Sequence, residues 1–383
     1  MNKPDYPYAL VVRWPVGGIR THLKYAREML NAESPRFSPL YVSYDDADTR
    51  LALNSLNIPA AADYSAGVHS LLGMMRRLFR VCFTNRIKVI HSQGFISSII
   101  STPASLLLHK RHIVSVHDVI TDKVIDETSL FSRLILGMCL RVSFAVHAVG
   151  RDCANSIRRL PFMKTAKNII TIRNGIDPQR FSNPQPADLR GLFKTGSDTR
   201  IIGFFGRFHP QKGFRYLVDA VELLKRSHPE LPIKVIAVGD AGTLKEDKEY
   251  IEAKGVKESF FFHSQVENPA SLMVACDMIA MPSLWEAYSL LAAEVLTLGV
   301  PLLASDCIGL AEVVENTPAR SFPAENAAAL AQAIYAEALH PSKTAAVEFS
   351  QQARIRFDFR ENAHRLNRLL YIAQTGGYLQ DLR

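Results

Sequence analysis

Glu286-Ala287-Tyr288-Ser289-Leu290-Leu291-Ala292-Ala293-Glu294 follows a Pro282-Ser283 turn and leads into the apolar run Val300-Pro301-Leu302-Leu303-Ala304-Ser305. It reads as turn, helix and strand in succession. Glu286 stands at the mouth of the helix and Glu294 about two turns further in, so both carboxylates point toward one crevice. Two carboxylates placed there can hold the hydroxyls of a sugar and of a ribose. The same spacing is common on solvated helices, so the neighbouring sequence has to decide between the readings.

Working outward, short apolar runs alternate with helical patterns along the chain, which is the βαβ signature. Strands are expected at Tyr8–Val12, Val89–His91, Ile113–Val116 and Ala145–Val149, with a helix over about Thr21–Leu30. In the second half, Ile201–Phe205, Ile233–Val238 and Pro301–Ala304 repeat the scheme. Two such arrays imply an α/β chain of two Rossmann-like, doubly wound domains facing each other across a cleft. The expected boundaries are an N-terminal domain over residues 1–180 and a C-terminal domain over 198–358. A last helical stretch within 359–383, through Leu366, Leu369 and Leu370, is expected to pack back toward the N-terminal domain. Ser182–Ser197, rich in Pro, Gly and polar residues, reads as the hinge.

Bulk properties narrow the class. The chain has 383 residues, which suits about two domains, and its 48% hydrophobic content is that of a globular protein. No apolar run reaches the ~20 residues of a membrane span. The opening Met1-Asn2-Lys3-Pro4-Asp5 lacks a secretory layout. The five cysteines are scattered, which suits a reducing cytoplasm and argues against a zinc site or disulfide framework. The net charge of +8 is uneven: the basic excess lies in the first half. That half can face anionic lipid or a phosphorylated substrate. No nucleic-acid signature accompanies it.

Four further patterns carry chemistry. Pro15-Val16-Gly17-Gly18-Ile19-Arg20-Thr21-His22 is a Gly-rich turn before a helix, where backbone and helix amides can approach an anion; it could also be an ordinary tight βα turn. Val116-His117-Asp118 ends a strand, so His117 either faces a ligand or caps a turn. Asp118 equally suits a helix N-cap. Ile172-Arg173-Asn174-Gly175-Ile176-Asp177, with Phe181 after it, marks a turn. In Gly203-Phe204-Phe205-Gly206-Arg207-Phe208-His209-Pro210-Gln211-Lys212-Gly213, a strand ends at a glycine and two cations follow five positions apart. Fixed cations in a dry cleft stabilise negative charge on a departing diphosphate without a metal.

Together with the paired Glu, these patterns resemble retaining GT-B glycosyltransferases of the family-4 type, in the family's order and from about Trp14 to Glu315. The resemblance implies that Gly17 and Gly18 lie against the donor diphosphate and acceptor. His117 would sit near the transferred sugar, and His91 is a further cleft candidate. Gly206, Arg207 and Lys212 would hold the diphosphate. Glu286 would contact the donor sugar, Ser289 and Leu290 would offer amides to the phosphates, and Glu294 would bond the ribose. Residues 239–242 would turn beside the nucleotide, and the backbone near Val266 would meet the base. The Asn-Gly pattern would mark the domain junction. Ala287 and Ser289 replace frequent glycines, Ser264 replaces another, and Ile308 and Ala311 stand where Gly and Pro are common. These departures bear on sugar identity.

The implied activity is transfer of a sugar from a nucleotide diphosphate donor, a UDP-sugar, to a hydroxyl of a glycan or lipid-linked acceptor in cell-surface polysaccharide or glycolipid synthesis. No cofactor and no metal are expected. Asp45, Asp46 and Asp48 read as a solvated acidic loop rather than a metal site. Leu71, Leu72, Met75, Leu78, Phe79 and Cys82 form an apolar stripe accompanied by Arg76, Arg77 and Arg80. That segment either packs on the sheet or meets an anionic membrane from the cytoplasmic side. The rival functions are a nucleotide-sugar epimerase of the same fold and a non-catalytic sugar-nucleotide binding subunit of a membrane assembly.

Overall fold

The computed structural model describes residues 6–13, 19–20, 22–24, 37–56, 62–240, 242–264, 266 and 268–382. Gly17 and Gly18 lie outside the described residues, as does most of the helix expected over Thr21–Leu30. Two compact units divide the chain: Met1–Gly175 with Phe359–Arg383, and Ile176–Asp358.

The first unit holds a six-stranded sheet in the order β2-β1-β3-β4-β5-β6. Its strands are β1 (Tyr6–Val12), β2 (Phe37–Val42), β3 (Val89–Gln93), β4 (Arg111–Val116), β5 (Ala145–Ala148) and β6 (Ile169–Thr171). All neighbours pair in parallel. Parallel strands are covered on both faces, so they read as continuous apolar runs. β2 carries Pro39, which removes a ladder donor; it sits at the sheet edge, where that loss is tolerated.

The Leu71–Thr84 helix is started by Ser70, whose hydroxyl accepts from Gly73 N at 3.0 Å. It buries Met74, Leu78, Val81 and Cys82 in the core beside Ala9, Val11 and Ile90. Leu78 and Cys82 of its apolar stripe pack on the sheet, whereas Leu71 and Leu72 are 43% and 49% exposed. Arg77 bonds the Ala66 carbonyl, while Arg76 and Arg80 are exposed.

Phe359–Thr375 forms a helix of the same unit, with Leu366, Leu369 and Leu370 buried. Its end is tied to β4: Arg111 donates to the carbonyls of Ile372 at 3.3 Å and Gly376 at 2.9 Å, while its guanidinium lies over Phe144 at 4.4 Å. Gln374 donates to the Pro7 carbonyl at 3.1 Å.

The second unit repeats the architecture in the order β12-β11-β10-β7-β8-β9, again all parallel. Its strands are β7 (Arg200–Phe205), β8 (Ile233–Val238), β9 (Phe260–His263), β10 (Met278–Met281), β11 (Leu302–Ser305) and β12 (Arg320–Phe322). The chain runs outward from β7 through β9, then returns to the other side of β7 as β10. That reversal creates a crevice beyond the carboxyl ends of β7 and β10, where open α/β sheets bind ligands.

The stretch expected as a hinge is not loose. Leu189–Phe193 is a short helix with Leu189 buried, Ala187 N donates to the Ser271 carbonyl at 3.0 Å, and Arg190 pairs with Asp277 at 3.2 Å. Local side-chain bonds hold this Pro- and Gly-rich segment on the second unit.

Candidate active site

The loop after β7 is fixed by aromatic packing. Phe208 is fully buried, with its ring centroid 5.1 Å from Phe214 and 5.9 Å from Phe204. Anchoring Phe208 inward leaves Arg207 exposed, and Arg207 has no hydrogen bond or ion pair among the described residues. His209 then caps the Pro210–Lys212 turn by accepting from Gln211 N at 3.3 Å. Burial, then Arg207 and Lys212, hold the His209 imidazole below its ordinary value, so it is neutral at pH 7.

This turn meets the loop after β10 directly. Leu284 N donates to the Gln211 carbonyl at 2.8 Å, and Gln211 Nε2 donates to the Trp285 carbonyl at 2.9 Å. Gly213 has φ +64, and a Cβ there would overlap the Pro282 carbonyl. A side chain would be strained and would push the two loops apart.

The contact brings Lys212 Nζ to 2.6 Å from Oε1 of Glu286. Ser283 Oγ donates to the same oxygen at 3.0 Å, and Ser305 Oγ donates to the Ser283 carbonyl at 2.5 Å. Glu286 is 7% exposed and Ser283 2%. Behind Glu286, its N–H donates to the Ile308 carbonyl at 2.9 Å. Gly309 (φ +78) presses against the Glu286 carbonyl with no room for a Cβ.

Ser289 caps the Leu290–Leu298 helix, accepting from Ala292 N at 3.4 Å. The orphan amides of that first turn lie three residues from Glu286 and favour an anion. Glu294 is half-buried one turn further on. Burial pushes its carboxyl up to about 8, with Arg180 opposing the shift. It makes no hydrogen bond among the described residues. A carboxyl so placed gains from two neutral hydroxyl donors, which would favour its charged form.

Gly206, Lys212, Glu286, Ser289, Leu290 and Glu294 therefore belong to elements gathered beyond the carboxyl ends of β7 and β10. Val266 follows β9 and is half-buried. Ser283 and Ser305 were not singled out by sequence reasoning, because single serines after strands carry no spacing signal. Gly309, between the departures Ile308 and Ala311, was not singled out either.

The first unit presents a buried histidine cluster. His91 Nε2 lies 2.7 Å from Ser115 Oγ, which lies 2.8 Å from His147 Nδ1, and His147 Nε2 donates to the Ile172 carbonyl at 2.9 Å. His117 Nε2 donates to Gln93 Oε1 at 2.7 Å, and its ring centroid is 4.7 Å from that of His22. Burial first, then the neighbouring imidazoles, lowers His22 to about 3 and His117 well below its ordinary value. The cluster is neutral at pH 7. With Nε2 donating, His117 Nδ1 is left as a buried acceptor without a partner among the described residues, suited to a hydroxyl. Gln93 was not read as a site residue, although polar His91-Ser92-Gln93 in a fully buried strand was the available signal.

Asp118 does not cap a helix: it accepts from its neighbour Val119 N at 2.8 Å, and Thr121 caps the Asp122–Glu127 helix. Asp45 is taken by Arg50 and by Gly67 N, and Asp46 accepts from Thr49 N at 2.7 Å. Both carboxylates thus serve the loop.

Each unit is a parallel α/β sheet, and the second gathers anion-suited groups at its switch point. The family described as Glycosyltransferase Family 4 matches residues 16–180, and Glycosyl transferases group 1 matches residues 199–337. The chain belongs to these glycosyltransferases and has their GT-B fold. It is similar to the D-inositol 3-phosphate glycosyltransferase of Jonesia denitrificans, with 33% identity over 161 residues, 39% of this chain and 38% of that one. It is also similar to the lipopolysaccharide core biosynthesis mannosyltransferase LpsB of Rhizobium meliloti, 25% identical over 45% of this chain and 49% of that one. The match thus spans less than half the length of either relative. Anabaena HepE in complex with UDP-glucose superposes with a TM-score of 0.80 at 19% identity, over 95% of this chain and 99% of that one.

Proposed function

We propose that this protein is a retaining glycosyltransferase that moves a sugar from a UDP-sugar to a hydroxyl of a glycan or lipid-linked acceptor, in cell-surface polysaccharide or glycolipid synthesis. The observation that carries this reading is the Lys212–Glu286 pair at the carboxyl ends of β7 and β10, beside exposed Arg207. A diphosphate entering there would take Lys212 and Arg207 as cationic partners and the Leu290–Leu298 amides as donors. Glu286 would then accept from the donor sugar's hydroxyls, and Glu294 from the ribose. The complex of HepE with UDP-glucose supports the donor class, and the lipopolysaccharide core mannosyltransferase LpsB the product class.

In this reading the leaving diphosphate takes the acceptor's proton as the bond to the sugar breaks, on the same face of the ring. The protein supplies position and charge stabilisation. No cofactor or metal is assigned a role. His117 Nδ1 would accept from a sugar or acceptor hydroxyl. A panel of nucleotide sugars, with mass spectrometry of the products, tests the function. Turnover of a nucleotide sugar without any acceptor would favour an epimerase, and tight nucleotide binding without transfer a non-catalytic subunit.

Peripheral contact with an anionic membrane is part of the same reading. The Leu71–Thr84 helix offers exposed Leu71, Leu72 and Phe83 beside exposed Arg76 and Arg80, and the Leu130–Val142 helix offers a second face. There Phe131, Met138 and Val142 are 72%, 53% and 47% exposed on one face, beside exposed Arg141. Among the described residues no helix is long and apolar enough to cross a membrane.

A further inference from the structure

The second unit has another cavity, of about 440 Å3, at the amino ends of β7 and β10. β7 has six residues, so this end of the sheet lies roughly 20 Å from the Lys212 loop. Arg190, Arg200, Asp277, Glu337, Pro341 and Lys343 are among its lining residues.

Its anionic groups are already engaged. Asp277 takes Arg190 and accepts from Ile201 N at 2.7 Å. Glu337 takes Arg320 at 2.5 Å and accepts from Ser342 N at 2.6 Å and Ser342 Oγ at 2.9 Å. Asp188 accepts from Gly191 N. The uncommitted groups are donors. Arg200 Nε is buried without a partner among the described residues, its Nη2 being held by the Ala338 carbonyl at 3.1 Å. Lys343 has no hydrogen bond or ion pair among the described residues. Lys343 is exposed at the cavity mouth, and partial burial holds its ammonium below its ordinary value, with Asp277 opposing the shift. Lys343 also opens the 14-residue Lys343–Arg356 helix, whose first turn has no acidic residue and no side-chain cap, because the Ser342 hydroxyl is turned to Glu337. Lys343 is the residue of that turn that lines the cavity, and the positive end of the helix lies beside it.

We infer that this cavity is a binding site for a small phosphate-bearing molecule, separate from the donor site. The uncommitted donors of Arg200 and Lys343, beside the start of the Lys343–Arg356 helix, suit a compact oxyanion. A carboxylate would prefer the two-pronged face of a guanidinium, and Arg200 has one prong occupied. The volume exceeds that of phosphate alone and falls within roughly 300–1,000 Å3, the range of small-molecule sites.

The test uses inorganic phosphate and the full chain, in an Arg207→Ala, Lys212→Met background that removes the donor-site cations. Calorimetry should give a Kd below about 10 mM, and adding K343M or R200Q should weaken it at least about tenfold. In the wild-type protein, phosphate should shift the amide resonances of Thr344 and Ala345, a readout that needs no variant to fold. No binding in the Arg207→Ala, Lys212→Met background, unchanged affinity in K343M and R200Q, or unmoved Thr344 and Ala345 resonances would each overturn the site. None of these results depends on the enzyme's activity.

Discussion

Lys212 Nζ and Glu286 Oε1 lie 2.6 Å apart although 74 residues separate them in sequence. The pair exists because the loops after β7 and β10 meet across the topological reversal of the second sheet. Each partner holds the other in the site before any ligand arrives.

The first expectation follows from that pair. Lys212→Ala should lower turnover about 100-fold or more, the scale for losing a preorganised charge stabiliser. Arg207→Ala should act in the same direction, and since Arg207 is exposed, its melting temperature should stay near the wild type's. Steady-state kinetics with the best donor is the check. Near-normal turnover in both variants would remove the diphosphate assignment.

Much of this arrangement was legible in the sequence. The apolar runs at Tyr8–Val12, Ile201–Phe205 and Ile233–Val238 are buried parallel strands, which have no polar face to interrupt them. Arg207, Lys212, Glu286 and Glu294 stood out because charges beside glycines and strand ends have few packing reasons to be there. Less legible were β2, interrupted by Pro39, and β10, four residues long and Met-rich. The fate of the Leu71–Thr84 stripe was also open, because periodicity gives a helix's apolar face but not what covers it. Gln93 escaped notice because its role depends on His117, 24 residues away and on the next strand's end.

Glu294 should make nucleotide binding depend on pH. Its free carboxyl is raised from 4.5 to about 8. Ribose hydroxyls donate to the charged form, so binding should release a proton below pH 8, and UDP affinity should rise between about pH 6 and 8. Glu294→Gln should flatten that profile and weaken binding by about 2 kcal/mol. Calorimetry in buffers of different ionisation enthalpy reads both effects. Equal proton release from both proteins would leave Glu294 a helix residue only.

The same carboxyl has a stability consequence. The folded state holds its proton more tightly than the unfolded chain does. Its contribution is therefore full below the unfolded value of 4.5 and is lost as pH rises through about 8. Glu294→Gln should raise the melting temperature of the ligand-free protein at pH 8 and change it little at pH 4.5. A gain of the same size at both values would contradict a raised carboxyl.

Turnover should survive EDTA, because Arg207 and Lys212 can neutralise a diphosphate unaided. Among the described residues no cluster of His, Cys, Asp or Glu is arranged to hold a metal ion. Loss of activity in EDTA, restored by Mg2+ or Mn2+, would require a different account of leaving-group stabilisation.

Sedimentation with vesicles tests the membrane contact. Binding to anionic phospholipid should be salt-sensitive, at ~1 kcal/mol per well-placed cation. It should fall when Phe131 and Met138 are both changed to Ser. Equal failure to bind anionic and neutral vesicles at low salt would favour a soluble acceptor.

The most direct measurement of the central claim is the anomeric configuration of the product. The protein is incubated with the preferred UDP-sugar, an α-linked donor, and an accepted hydroxyl compound, and the new linkage is read by NMR. The account predicts an α linkage formed at the expense of the donor, abolished with Glu286→Ala. A β linkage, or consumption of the donor with no transfer to any acceptor, would contradict it.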